Sequence, residues 1–296
     1  MYRKIGLILL LSIISGLAIS QSSRYPKGYF RWPLNLKPEI VANLGELRSN
    51  HWHMGLDIRT AQKENQQVFA AAGGYISKIR IEPGGFGRAI YINHPNGLTT
   101  LYAHLNDFYP ELETYVTQQQ YAQQTWRIEL NFSPRQFPVN KGTFIAYSGN
   151  TGGSAGPHVH FEIRDTRTDK CLNPLLFGFP LQDNVPPTVV RLAMYDRAKS
   201  VYDQKPQFIP IKKMGNSYGL GRASVLKTSF DKLSFAITAY DRISGSNNQD
   251  GIYSAKLFVD ERLVDGFEID SVSYDETAYM NAHIDFKHDY NGGGFL

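Results

Sequence analysis

Cysteine is almost missing from this chain of 296 residues: Cys171 stands alone, which excludes an intramolecular disulfide. Nothing around it marks an activated thiolate, so it reads as a small buried side chain and not as a nucleophile. An excess of one charge is also lacking. The formal net charge is +4, and it falls to +2 if Arg3 and Lys4 leave with an N-terminal leader. That near-neutral balance excludes a polyanion-driven nucleic-acid binder. Long hydrophobic runs are few as well. The run from Ile5 to Leu17 is short for a span of roughly 20 residues, and no stop-transfer pattern follows it. Preceded by Arg3 and Lys4 and followed by Ala18-Ile19-Ser20 before Gln21, it reads as a signal peptide over residues 1–20. With no cysteine near the cleavage point, a lipid anchor is not expected. The mature chain is therefore expected to be exported without a transmembrane span, to a periplasmic or cell-envelope site or the medium.

What remains is strand-forming and rich in aromatics. At this length about two domains are expected, and 42% hydrophobic content supports real cores. Tyr75 to Ile81 alternates apolar and polar residues, as does Arg88 to Ile92, with Pro83-Gly84-Gly85-Phe86-Gly87 turning between them. From Pro110 to Gln124 glutamines predominate around Leu112, Tyr115, Val116 and Tyr121, a pattern of helix or long excursion, before alternation returns at Trp126 to Phe132. After Asp183-Asn184-Val185-Pro186-Pro187, a proline-marked linker, short strand signals recur near 188–195, 232–240, 251–259 and 268–274. Their spacing predicts an immunoglobulin-like β-sandwich over residues 183–296, and the glycine-rich 291–296 segment follows its last strand candidate without obvious closure, as in a fragment with an incomplete sandwich. All-β, mainly antiparallel architecture is thus expected throughout.

Chemistry concentrates in three short segments: His53-Met54-Gly55-Leu56-Asp57, Tyr102-Ala103-His104-Leu105 and Pro157-His158-Val159-His160-Phe161-Glu162. In a strand, residues two or four apart share a face, so His53 and Asp57 can reach one point, and so can His158 and His160. Two imidazoles and a carboxylate make a metal site with room for water, and two further imidazoles beside it can move protons. A His-x-His pair alone is weak evidence, because strands also carry histidines for packing. The ordered set, with its glycine-rich approach from Gly149 to Pro157, is much stronger. Glu162 shares the face of His160 and reads either as a partner for an imidazole or as a solvated strand residue. His51 is expected on the rim, and His94, His283 and His288 on the surface.

These segments, together with Val68 to Gly74 and Val139 to Ala146, resemble the lysostaphin-like, or LytM-type, zinc metalloendopeptidases of family M23. The resemblance runs from about Phe30 to Pro180. It implies an antiparallel LytM-like peptidase domain over residues 21–182, with zinc (Zn2+) held by His53, Asp57 and His160, and with His104 and His158 as the catalytic pair. Which of those two is acid, base or oxyanion donor stays open. It further implies a groove for peptidoglycan or muropeptide substrates, and the C-terminal domain is a candidate docking unit for a cell-envelope protein. Relative to a minimal member, residues 111–137 form an insertion expected to wall one side of the groove. Two other classes fit parts of the pattern: a non-catalytic wall-binding or amidase-activating LytM module, and a non-haem iron oxygenase, whose facial triad is also two histidines and a carboxylate.

Overall fold

The computed structural model describes residues 25–221 and 225–296, so the signal-peptide segment 1–20 lies outside the described residues. The chain is mostly β-strand and its sheets are antiparallel. The principal sheet has ten strands. Its main path runs Ile40–Ala42, Leu56–Arg59, His158–Asp165, Leu98–Ala103, Arg88–Asn93, Gly74–Ile81 and Ile128–Asn131. A second, three-stranded sheet pairs Phe144–Ser148 with Gln67–Phe69 on one side and Leu105–Phe108 on the other.

Alternation along the central His158–Asp165 strand decides what each face does. Val159, Phe161 and Ile163 point into the large core, with Phe30, Trp32, Leu56, Tyr102 and Phe108 among their companions. His160, Glu162 and Arg164 point the opposite way, over a smaller apolar floor of Ala89, Tyr91, Leu101 and Ala103. Nearly every residue of the strand is buried, because the sheet is covered on both faces.

The uncertain 110–124 stretch is a helix, Pro110–Gln123, opened by proline at its first turn and closed by Gln124 in the left-handed region. Leu112 and Val116, one turn apart, bury its inner face, and Glu113 bonds to Arg88 and to the Phe108 amide. The following strand, Ile128–Asn131, extends the principal sheet alongside Gly74–Ile81. Contrary to expectation, none of residues 111–137 lines the groove described below. Their buried apolar positions draw them onto the core and the sheet's far edge, five strands from the Leu56–Arg59 strand that carries Asp57.

Beyond the linker, Thr188–Asp196 pairs with Gln207–Ile209 and Leu233–Tyr240, and two hairpins follow, Ile211–Met214 with Ser217–Leu220 and Ser254–Val259 with Arg262–Glu268. The chain then returns. Ser271–Val272 pairs with Cys171–Leu172, so the distal region contributes a strand to the principal sheet. Among the described residues no helix is long and apolar enough to cross a membrane.

Candidate metal centre

Three ligand-type side chains meet at the open end of the sheet. His53 does not share one continuous strand with Asp57, as the spacing suggested. The His51–Trp52 strand ends, Met54 and Gly55 turn the chain, and Leu56–Arg59 begins. Gly55 is needed there: a Cβ on it would lie 2.5 Å from the Phe161 carbonyl oxygen and 2.9 Å from Glu162 Cγ. This close approach sets Asp57 directly across from His160 in the sheet register. His53 Nε2 is 3.0 Å from Asp57 Oδ1 and 3.1 Å from His160 Nδ1, and His160 Nδ1 is 2.9 Å from Asp57 Oδ1.

The outer nitrogens of both rings are committed as donors. His53 Nδ1–H donates to the Asn43 carbonyl at 2.8 Å, and His160 Nε2–H donates to Glu162 Oε1 at 2.8 Å. In neutral rings the inner nitrogens are then bare, so three lone-pair atoms face one another across about 3 Å. Such a triangle matches a cation bound at about 2.0–2.2 Å from each ligand. His53, Asp57 and His160 are also the one group of three or more such ligands found among the described residues. The donor set, two imidazoles and a carboxylate, fits zinc.

Electrostatics agree with a site built for positive charge. Burial alone would raise the Asp57 pKa, but His53, His158 and His160 hold it well below the usual carboxylate range. Burial works against a charge on His160 too, yet hydrogen bonds to Asp57 and Glu162 push its pKa up to about 9. Behind His160, Glu162 is fully buried and accepts from Arg164 Nε at 2.6 Å, Cys171 Sγ at 3.1 Å and Tyr274 Oη at 2.6 Å. Glu162 is thus a partner for an imidazole and not a solvated strand residue. Cys171 is buried, as its isolation suggested.

The two remaining histidines stand side by side, ring centroids 4.7 Å apart. His104 occupies the kink between Leu98–Ala103 and Leu105–Phe108 with φ of 58°, a left-handed conformation unusual outside glycine and held by the surrounding structure. Its Nδ1 donates to the Thr151 carbonyl at 2.8 Å, which turns Nε2 toward the cleft. Burial first, then the neighbouring His160 and His158, bring its pKa down to about 4, so it is neutral near pH 7. His158 Nδ1 donates to the Gly156 carbonyl at 2.8 Å, and its Nε2 lies 3.3 Å from Asp57 Oδ1. The glycine-rich approach packs by backbone contact: a Cβ on Gly152 would be 2.3 Å from the Gly87 nitrogen.

All five sequence-predicted residues line one cleft of about 830 Å³. Arg48 and His51 stand on its rim, as sequence position suggested for His51, while Phe86 and Tyr274 form the wall beside His160. Tyr274 carried no signal in the sequence, because neither period nor motif links it to the other segments. His94 was expected at the surface and is instead 6% exposed, its Nδ1 donating to the Gly73 carbonyl and its Nε2 lying 2.9 Å from Thr100 Oγ1. His283 is at the surface, its ring packed edge-on against Trp52 and Phe267.

The family model for peptidase family M23 matches residues 51–125. A metalloprotease of Haemophilus influenzae is 29% identical over 166 residues, covering 54% of this chain and 29% of its own length. DD-carboxypeptidase/endopeptidase Mpg of Neisseria meningitidis serogroup B is 34% identical over 129 residues, covering 44% of this chain and 24% of its own. Among solved structures, a zinc-containing peptidase from Vibrio cholerae superposes with a TM-score of 0.38 at 21% identity, covering 50% of this chain and 40% of that one. The chain thus spans less than a third of the length of the two curated relatives. The stretch matched by the family model carries His53, Asp57 and His104, so it is this part of the chain that is similar to peptidase family M23.

Proposed function

We propose that the protein is an exported zinc metalloendopeptidase that hydrolyses peptide bonds in peptidoglycan cross-links or stem peptides. The observation that carries this reading is the triangle of His53 Nε2, Asp57 Oδ1 and His160 Nδ1, three ligand-type atoms about 3 Å apart beside a second pair of imidazoles. Zinc, when bound, lowers the pKa of a coordinated water and polarises an amide carbonyl. The chain's own groups do the rest. His104, held neutral with Nε2 facing the cleft, accepts a proton there. His158 offers a second Nε2 on the same side, within reach of a developing oxyanion or a leaving amine once it carries a proton. Orientation of both rings by backbone carbonyls keeps their reactive nitrogens aimed without rearrangement. Support for the substrate class comes from the Neisseria relative, whose name describes a DD-carboxypeptidase and endopeptidase.

Metal analysis of the purified full chain, combined with a muropeptide digest, tests the reading. The expected result is about one zinc per chain and new amine termini in the digest. Zinc without cleavage would leave a binding module, and iron with oxygen-dependent turnover would indicate an oxygenase.

A further inference from the structure

We infer that the distal region is a working part of the metal centre, with Tyr274 a positioning residue that orients the ligand His160 through Glu162. The inference rests on the zinc reading above and goes beyond it. Glu162 has two oxygens and four donors: Oε1 accepts from His160 and Tyr274, and Oε2 from Arg164 and Cys171. Only the hydroxyl of Tyr274 comes from outside the 21–182 region. It shares its acceptor oxygen with the imidazole, so it fixes where that oxygen lies and hence which way Nδ1 of His160 points. The Tyr274 ring is itself held, against the Arg164 guanidinium at 4.8 Å and edge-on to Phe86 at 6.3 Å.

A second tie reaches the other imidazole. The Asn43 side chain bonds Gly251 in both directions, its amide donating to the carbonyl at 2.7 Å and its oxygen accepting from the amide nitrogen at 2.9 Å. The carbonyl of the same Asn43 fixes His53. Thr277 Oγ1 meanwhile accepts from the Trp52 nitrogen at 2.9 Å, one residue before that ligand. Each ligand histidine is therefore oriented by a group whose own partner lies beyond residue 250, whereas Asp57 is placed by sheet register and by side chains within 21–182, His158 at 3.3 Å among them. Partners of this outer kind typically change metal affinity 10–100-fold when lost.

The test uses the full chain and the variant Tyr274→Phe, which keeps the ring and removes the hydroxyl. Zinc affinity is measured by competition with a chelator, and kcat and KM on a muropeptide at saturating zinc. Zinc affinity should fall by about tenfold or more, while KM stays unchanged. The exposed Tyr279→Phe serves as the control and should match wild type. In a Glu162→Gln background, which breaks the relay, adding Tyr274→Phe should have no further effect. Wild-type zinc affinity in Tyr274→Phe, a rise in KM as its sole effect, or additive losses in the double variant would each overturn the inference. A wild-type chain that binds no zinc would overturn the functional reading along with it.

Discussion

Single side chains divide into those that hold and those that transfer. Alanine in place of His53, Asp57 or His160 removes one of three donors, so each variant should lose zinc and activity together. His104→Ala and His158→Ala should keep zinc and lose roughly 100-fold or more in turnover. Metal content measured beside kcat separates the two groups, and full zinc in all three ligand variants would show that other residues bind it. His94 shows what burial does to the same side chain away from the site. Burial holds its pKa near 4, against 6.5 in the unfolded chain, with the Gly73 carbonyl pulling the other way. The unfolded state therefore binds the extra proton between pH 6.5 and 4. Stability from this group is complete above pH 6.5 and declines as pH falls toward 4, by up to about 3 kcal/mol. His94→Gln should flatten that part of the profile, which thermal melts at pH 7 and pH 5 would read, and an unchanged slope would assign the acid sensitivity elsewhere.

Elements of secondary structure show how far the sequence could be read. The alternation around His158-Val159-His160-Phe161-Glu162 gave the right faces, because a strand buried on both sides must still separate an apolar face from a polar one. His53 and Asp57 came out as neighbours for a different reason: they stand on successive short strands joined at Met54 and Gly55, a break that a period of two cannot register. The Pro110–Gln123 helix stayed ambiguous in the sequence because its inner stripe is only Leu112 and Val116, among glutamines that suit helix and loop alike. Its role was misjudged as well, since it anchors to the core and leaves the groove to Phe86, Arg48 and others. Leu112→Ala should accordingly destabilise the protein by about 2–5 kcal/mol in urea unfolding, with kcat and KM unaltered for the folded fraction. A marked KM effect would return the helix to the groove.

At the scale of the whole molecule, the five site residues stay within 21–182 but the contacts that steady them do not. Residues far apart in sequence leave no period or motif when they meet, so the return of Val272, Tyr274 and Thr277 was not legible. A chain ended at Gln182 would keep every ligand and lose the Gly251 clamp, the Val272 pairing and the Tyr274 hydroxyl. Such a truncation should bind zinc at least about tenfold more weakly and melt at lower temperature than the full chain. Equal affinity and stability would make the distal region a mere appendage. The separation of 112 positions between Glu162 and Tyr274 also has a meaning in time. A chain made from its N-terminus delivers the candidate ligands early and this hydroxyl late. During that interval the cluster has its side chains but not the contact that steadies them, so the site takes its final shape only after most of the polypeptide has been made.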